Sequence, residues 1–486
     1  MVQTTDRFVG FDTGAEVFLK DGRVFRGIYP GKEELYEHVL GICTRENLFQ
    51  FGIVATHELT TNLNLQLPYA WILEHERIPF ISYPHEWPAS MLKEAALFHL
   101  RLFSKLGEHG LTFKDWHPYN ILFRGTKPVF VDFSSIIPHD KLLEEAYLTP
   151  PRVPATYRRI WDRVSGYYYE MYRRMYEPYF LWPLYMMHYK RHVHARERIL
   201  KTYLDTLAPG ELPVPIGRKY RLFGILKKLA LIQPGKRKTL FLSMLHQEME
   251  RLSVARPGYL DYYAAKDEDF TFTPSTEWNN KQKVVYEAIQ QRHPHTLLDI
   301  GSNTGWFSIL AAQNGCEVVA MDIDDACMDA LYQRAQKEDL PILPLVANLN
   351  ALTPDIAPPL FENEPSLSLI GGEAPLLIAA EKRFRCEMVL ALALIHHLVL
   401  GQGMLFEQVV GKLNALTEKV LLLEFVARDD RLIVAEPSFF RAYQANASAF
   451  DWYTLENLIN ELKRVFRTVI ARPSHPVSRT LLICEK

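Results

Sequence analysis

The stretch "LLDIGSNTGWFS", residues 297–308, reads as a buried strand, a tight glycine turn and the start of a helix. Gly301 and Gly305 remove side chains where a ligand would approach backbone N–H groups at a helix N-terminus. The spacing is G-x-x-x-G with Asp299 ahead of it, whereas the dinucleotide-binding fingerprint is G-x-G-x-x-G. The stretch therefore predicts a ligand-binding turn that differs from the dinucleotide-binding one.

From about residue 271 onward, apolar, strand-like runs alternate with helix-length segments. Among these runs are "EVVAMDI", "LPLVA", "EMVLALAL" and "KVLLLEFV". This alternation predicts a mostly parallel sheet with helices on both faces. The second strand ends in Asp322, about 20 residues after the turn, where an acidic side chain can accept hydrogen bonds from both ribose hydroxyls of an adenosyl ligand.

The glycine turn and the acidic strand end, in this register, resemble the class I S-adenosylmethionine-dependent methyltransferases over roughly residues 271–486. The resemblance implies an enzyme with an α/β Rossmann-like domain, a mostly parallel seven-stranded sheet and bound S-adenosylmethionine. The cofactor-binding residues that it implies are Asp299, Gly301, Ser302, Asn303, Gly305, Asp322, Ile323, Asn348 and Leu392. The alternative is a glycine turn in a Rossmann-like domain that binds no cofactor.

A histidine pair follows the fourth apolar run in "EMVLALALIHHL". Ligands of open α/β sheets bind at the carboxyl ends of the strands, so His396 and His397 fall beside the expected position of the transferred methyl group. A histidine suits proton removal at neutral pH, and at most one of two adjacent histidines can face the substrate. Glu424, at the end of the fifth run, is a reserve base or substrate ligand. The alternative is that both histidines serve packing or face solvent.

The segment "KDWHPYNILF", followed by "PVFVDFSS", resembles the catalytic and metal-binding segments of kinase-like phosphotransferases. Carried over by position, Asp115 would be the catalytic base, and Asn120 and Asp132 would bind the metal. The resemblance implies ATP and Mg²⁺ as further ligands. Two elements of that family are missing, however: the first hundred residues contain neither G-x-G-x-x-G nor V-A-I-K.

The first hairpin offers Lys20, Arg23 and Arg26 as substitutes for the phosphate-binding lysine, but we expect each of them to be solvated. Without a phosphate cradle, we interpret the N-terminal region as a degenerate kinase-like domain that binds a substrate or partner. Two alternatives remain. The chain is a bifunctional kinase and methyltransferase that modifies a saccharide or other small acceptor, or it is a non-catalytic binding scaffold.

The layout of the chain resembles bacterial methyltransferases related to nodulation host-specificity proteins. We expect an α+β kinase-like domain over residues 1–140, a helical aromatic and basic connector over 141–270, and the methyltransferase domain over 271–486. Tyrosines at helical spacing in the connector, from Tyr167 to Tyr185, are expected to form an interdomain core with a solvated basic face. The methyl acceptor is expected to be a small molecule or a glycan.

Composition restricts the partners and the compartment. The 486 residues have a formal net charge of −2 with 23% charged residues, so no overall pull toward nucleic acid is implied. The five cysteines form no C-x-x-C pair, and neither a disulfide framework nor a metal site is expected. No apolar stretch reaches the roughly 20 residues of a membrane span. We expect a cytoplasmic protein.

Overall fold

The computed structural model of the protein describes residues 6–7, 12, 14–60, 69–145, 163–204, 226, 238–254, 272, 274–356, 376–435 and 439–486. Its strands are β1 (Asp6–Arg7), β2 (Ala15–Lys20), β3 (Arg23–Ile28), β4 (Thr56–Glu58), β5 (Trp71–His75), β6 (Leu111–Phe113), β7 (Ile121–Arg124), β8 (Lys127–Phe130), β9 (Ile136–Pro138), β10 (Thr296–Ile300), β11 (Glu317–Asp322), β12 (Ile342–Val346), β13 (Cys386–Ala391), β14 (Thr417–Val426), β15 (Thr468–Pro473) and β16 (Arg479–Glu485).

The α-helices of the described residues are α1 (Glu33–Arg45), α2 (Ala89–Glu108), α3 (Arg163–Met171), α4 (Trp182–His188), α5 (His192–Leu204), α6 (Lys238–Arg251), α7 (Asn280–Arg292), α8 (Trp306–Gln313), α9 (Asp325–Glu338), α10 (Ala380–Arg383), α11 (Phe406–Leu416), α12 (Arg431–Ala435), α13 (Arg441–Ala445) and α14 (Leu455–Leu462). Two further stretches, Tyr172–Leu181 and His397–Gly401, have π-helical hydrogen bonding. None of the helices in the described ranges combines the length and the apolar composition that crossing a membrane requires.

An antiparallel five-stranded sheet lies at the N-terminal end, in the order β1-β2-β3-β5-β4. The hairpin of β2 and β3 turns at Asp21 and Gly22, whose φ angles are 51° and 75°. Tight hairpin turns need a left-handed backbone at such positions, and Asp-Gly supplies it at low cost. The predicted hairpin is confirmed. Helix α1 follows the hairpin and buries Tyr36, Val39 and Cys43.

The long helix α2 lies in the core and buries twelve of its residues, among them Leu92, Ala96 and Leu106. The aromatic middle of the chain packs on it: Tyr176 is buried and donates its hydroxyl to the carbonyl of Ala96, 3.1 Å away. Arg173 and Arg174, on the opposite side of the same stretch, are exposed. The aromatic residues therefore form a core with a solvated basic face, as expected.

The C-terminal sheet has seven strands in the order β12-β11-β10-β13-β14-β16-β15. The first five pair in parallel, and β16 runs antiparallel between β14 and β15. The predicted mostly parallel seven-stranded sheet is confirmed. Chain order reverses between β10 and β13, which opens a crevice at the carboxyl ends of these two central strands.

The N-terminal half of the molecule, which contains α2, contacts the C-terminal half, which contains α9. These two helices pack against each other near the edge strand β12. The predicted boundaries at 140 and 270 remain predictions, because residues 146–162 and 255–271 lie outside the described ranges. The described part of the predicted connector is helical, with α3 to α6 and one π-helical stretch.

Candidate active site

The glycine turn connects β10 to α8 at the carboxyl edge of the sheet. Gly301, Asn303 and Gly305 have φ angles of 74°, 51° and 83°, which only glycine and a few polar residues adopt readily. A side chain at Gly305 would place its Cβ 2.5 Å from Leu331 of α9. The turn is therefore held close to α9, and each of its backbone N–H groups from Gly301 to Gly305 donates to an acceptor within the protein.

Asp322, the last residue of β11, is hydrogen-bonded to this turn. Its carboxylate accepts hydrogen bonds from the backbone N–H of Asn303 at 2.8 Å and of Asp324 at 2.9 Å. Burial raises the pKa of Asp322. Ile323 follows directly and is 68% exposed, which is unusual for a large apolar side chain at a strand end. The acid and the apolar residue thus lie together at the edge where the sequence predicts the ribose and the adenine.

Asp299 and Ser302 lie beneath the turn. The Asp299 carboxylate is buried and accepts a hydrogen bond from the hydroxyl of Ser308 at 2.7 Å, which ties β10 to the first turns of α8. Burial raises the pKa of Asp299 to about 6. Ser302 is also buried, and its backbone N–H donates to the carbonyl of Met321. Both residues support the turn, and their predicted contact with the cofactor remains a prediction.

The third and fourth strands bring two more predicted residues to the same edge. Asn348 follows β12, and its side-chain oxygen accepts the N–H of Asn350 at 3.0 Å, capping the short helix Leu349–Ala351. Leu392 follows β13 and is buried. Two residues further on, Leu394 lies against the glycine turn, where a Cβ added to Gly301 would be 3.4 Å from it. These loops form the sides of the crevice.

The histidine pair differs sharply in exposure. His396 has no exposed surface, and neither of its ring nitrogens has a hydrogen-bond partner among the described residues. His397 is partly exposed and stacks on Phe440 with 5.3 Å between ring centroids. Burial, followed by the charge of Arg479, lowers the pKa of His397. Of the two, His397 is the one that an incoming acceptor can reach.

Glu424 is placed differently from the sequence prediction. It is fully buried, and its carboxylate oxygens accept hydrogen bonds from the Lys281 ammonium at 2.9 Å and the Ser474 hydroxyl at 2.5 Å. A carboxylate that is engaged at both oxygens and has no exposure is not available to an acceptor. We therefore correct the prediction of a reserve base: this side chain ties β14 to α7 and to the loop before β16.

A cavity of about 660 Å³ opens beyond the end of β14. Phe425, Tyr443 and Tyr453 line it, together with Arg428 and Thr454. Tyr443 lies on α13, which begins directly after Phe440, the residue that stacks on His397. This cavity was not predicted from the sequence. Its signal was the aromatic content of "FFRAY" and "FDWY" after the fifth strand.

The kinase-like residues lie together in the N-terminal half. Asp115 is buried, and its Oδ1 accepts hydrogen bonds from Asn120 Nδ2 at 2.5 Å and from the Ser135 hydroxyl at 3.3 Å. Burial raises the pKa of Asp115 to about 6, and the nearby charge of Asp132 adds to this rise. The structure thus brings the three predicted residues into one cluster.

Arg26 adds a cation to this cluster. Its guanidinium is buried and lies 3.1 Å from Asp132 Oδ1, and it also donates to Ser134 and to His75 Nε2. The prediction that the hairpin cations are solvated is wrong for Arg26 and for Lys20, which is also buried. A charged hairpin residue is expected to be exposed from its sequence, and here distant residues of β5 and of the Asp132 loop bury Arg26.

No protein-family model matches the chain. The chain is 29% identical over 404 residues to nodulation protein NoeA of Rhizobium meliloti (strain 1021), covering 78% of this chain and 76% of that protein. This distant similarity extends across both halves of the fold.

Among solved structures, one match is the magnesium protoporphyrin IX methyltransferase of Synechocystis PCC 6803 with bound S-adenosylmethionine. It is 16% identical, and the match covers 46% of this chain and 94% of that one, with a TM-score of 0.27. Another is the bifunctional kinase-methyltransferase WbdD, 16% identical over 42% of this chain and 37% of that one, with a TM-score of 0.27. Scores this low describe partial overlap, so the function proposed below depends on the chain's own sheet order and loop residues.

Proposed function

We propose that the protein is an S-adenosylmethionine-dependent methyltransferase. One observation carries the proposal: the turn with Gly301 and Gly305 is hydrogen-bonded directly to Asp322, through the Asn303 N–H, at the carboxyl edge of a seven-stranded sheet. A glycine turn and a carboxylate at neighbouring strand ends suit the close approach and the ribose hydroxyls of an adenosyl ligand.

The residues present fit the cofactor in charge and shape. Asp322 would accept hydrogen bonds from the ribose hydroxyls, and the exposed side chain of Ile323 would cover one face of the adenine. The amide of Asn348 would lie at the adenine edge, next to the turn. When bound, S-adenosylmethionine supplies an electrophilic methyl group on a sulfonium. The chain itself need only align the acceptor and remove a proton from it.

We assign proton removal to His397. The imidazole is partly exposed, and its lowered pKa keeps it neutral, and therefore able to accept a proton, at pH 7. Phe440 holds the ring in place by stacking. Fully buried His396 packs beneath it, at 4.2 Å between ring centroids. His396 is then a packing residue in this proposal.

The acceptor is proposed to be a small molecule of the glycan type. The cavity beyond β14 presents the ring of partly exposed Tyr443 and the guanidinium of Arg428, whereas Tyr453 is buried and stacks on Phe425. Aromatic faces stack on the apolar faces of sugar rings, and a guanidinium donates to hydroxyl or carboxylate oxygens. Its position next to α13 puts the cavity on the same side as His397.

We further propose that residues 1–140 form a degenerate kinase-like domain, joined by the helical connector over 141–270 to the methyltransferase domain over 271–486. The pairing of Arg26 with Asp132 supports this view, because a permanent cation occupies one side of a carboxylate that a kinase would use for Mg²⁺. The N-terminal domain would then bind a substrate or partner and support the methyltransferase domain.

The test is transfer of a labelled methyl group. Purified full-length protein, incubated with labelled S-adenosylmethionine and fractionated bacterial extract, is expected to yield a labelled product that mass spectrometry identifies as a small saccharide. His397→Ala should lower kcat by about 100-fold, with little change in the KM for the cofactor.

The matched control is His295→Ala, which changes an exposed histidine at the amino end of β10, on the opposite edge of the sheet. This variant should keep full activity. A product that forms equally fast with His397→Ala would remove the proposed base, and the absence of any labelled product from wild-type protein would contradict the proposed activity.

A further inference from the structure

A buried ion pair connects the N-terminal half to the C-terminal domain. Arg383 of α10 donates hydrogen bonds from both terminal guanidinium nitrogens to the Glu86 carboxylate, with nitrogen–oxygen distances of 2.9 and 2.6 Å. The two side chains are only 1% and 5% exposed. Arg383 also donates to the carbonyl of Ile81 at 2.7 Å and lies over the ring of Tyr83. A buried pair with this many partners holds its position, since each charge is compensated.

Thr353, in the loop that follows β12, is hydrogen-bonded to this ion pair. Its hydroxyl donates to Glu86 Oε1 at 2.9 Å and lies 3.0 Å from His85 Nε2. A hydroxyl has one proton, which goes to the carboxylate, so His85 donates through Nε2. The backbone carbonyl of Thr353 also accepts the N–H of Ala380 at 2.8 Å. Thr353 is thus held on two sides.

The loop between Asn348 and Thr353 is anchored in both halves of the molecule. At its start, the N–H of Ala347 donates to the carbonyl of Asp322 at 2.9 Å, next to the turn. Within it, the amide of Asn350 donates to Gln402 at 3.1 Å, at the end of the π-helical stretch that begins with His397. At its end, Thr353 contacts residues of the N-terminal half.

We propose that Thr353 is a positioning residue through which the N-terminal half orders the loop of Asn348 and thereby sets the affinity for the cofactor. The inference rests on the proposed function, in which Asn348 lies at the adenine edge. A loop that is ordered before binding does not have to lose its conformational entropy when the ligand arrives, so its affinity is higher. The N-terminal half is then part of the cofactor site, although none of its residues need touch the ligand.

Three single variants of the full-length protein test this. Thr353→Val keeps the shape of the side chain and the Glu86–Arg383 pair but removes both hydroxyl contacts. Thr353→Ser keeps the hydroxyl and should restore wild-type behaviour. Tyr332→Phe is the matched control, because it removes a different hydrogen bond between the halves, from the Tyr332 hydroxyl to the carbonyl of Thr126 at 3.2 Å.

Two measurements are made on each variant: calorimetric binding of S-adenosylmethionine, and hydrogen exchange at the amides of Asn350 and Ala351 without ligand. Thr353→Val should raise the Kd about tenfold and accelerate exchange at both amides, as expected for the loss of one or two buried hydrogen bonds. Thr353→Ser and Tyr332→Phe should remain within about twofold of wild type.

The outcomes separate the two proposals. If wild-type protein binds the cofactor and Thr353→Val leaves either the Kd or the exchange rates unchanged, the positioning role is wrong and the methyltransferase assignment stands. If Tyr332→Phe weakens binding as much as Thr353→Val, the effect belongs to the junction as a whole and the role of Thr353 is overturned. If wild-type protein binds no S-adenosylmethionine, the proposed function itself fails.

Discussion

The ion pair between Arg26 and Asp132 determines how the N-terminal cluster is interpreted. In a kinase the corresponding acid binds Mg²⁺, which bridges the phosphates. Here the acid lies 3.1 Å from the Arg26 guanidinium. The carboxylate is already neutralised without a metal. Asp115 and Asn120 bond to each other and thus stabilise the loop they share.

We expect methyl transfer to need no ATP. Asp115→Asn should keep methyltransferase activity within about threefold, because the side chain is nearly isosteric and burial already favours its neutral form. Asp115→Ala should instead lower the free energy of unfolding by about 1–3 kcal/mol, since the Asn120 and Ser135 donors lose their acceptor. Activity and urea unfolding of the two variants measure this difference.

If purified protein transfers phosphate from labelled ATP to an acceptor, and Asp115→Asn abolishes the transfer without changing the melting temperature, the N-terminal domain is a live kinase. The bifunctional alternative then replaces the degenerate domain.

Individual residues differed in how far the sequence could predict them. Gly301, Gly305 and Asp322 were predictable because a turn needing positive φ and an acid at a strand end leave local signals. The pairing of Arg26 and the ion pair of Glu424 were not, because their partners lie far away in sequence.

Among the elements, helix α2 is unusual in how it begins. Its N-cap position is Pro88, which provides no side-chain acceptor. The first backbone donors are satisfied instead by α9: Ala89 N–H donates to Asp325 at 3.3 Å, and Ser90 N–H to Asp329 at 2.8 Å. Carboxylates at a helix N-terminus are favourable because they accept these hydrogen bonds and oppose the helix dipole. The C-terminal domain therefore caps the central helix of the other half.

The Asp329 carboxylate predicts a pH dependence of stability. Burial raises its pKa to about 7 in the folded protein, above the unfolded value near 3.8. Because the pKa of Asp329 is higher in the folded than in the unfolded protein, its ionisation lowers the free energy of unfolding as the pH rises from about 4 to 7. Asp329→Asn, which is never charged, should therefore gain stability relative to wild type between pH 5 and pH 8. Urea unfolding midpoints at the two pH values measure the gain.

Asp429→Asn, which changes an exposed aspartate away from the junction between the halves, is the control and should show no such trend. Asp329→Ala should be less stable than wild type at both pH values, by about 1–3 kcal/mol, because the Ser90 N–H loses its acceptor. A difference between Asp329→Asn and wild type that does not vary with pH would contradict the raised pKa.

The elements themselves were only partly evident from sequence. Helix α2 and the first five strands of the C-terminal sheet have clear apolar patterns. Strand β15 was missed because most of its side chains are exposed, so the sequence "TVIARP" lacks the signal of a buried strand. The cap on α2 was unpredictable because its carboxylates lie more than two hundred residues further along the chain.

In the whole molecule, the two halves meet beside the edge of the sheet at which we propose that the cofactor binds. The strand order places β12 at one side of that sheet, and the loop after β12 carries Asn348 and ends at Thr353, against Glu86. The same junction includes the α9 carboxylates that cap α2. Cofactor binding and the stability of the N-terminal half should therefore depend on one shared interface.

The central claim is that the turn and Asp322 bind S-adenosylmethionine, and calorimetry of the full-length protein tests it most directly. We predict clear binding of the cofactor and of its demethylated product. Asp322→Ala should weaken binding by about 100-fold, because two hydrogen bonds to a charged acceptor are lost. Asp324→Asn should bind within about twofold of wild type, since asparagine caps α9 as aspartate does. No heat with either ligand, or equal affinity in Asp322→Ala, would contradict the account.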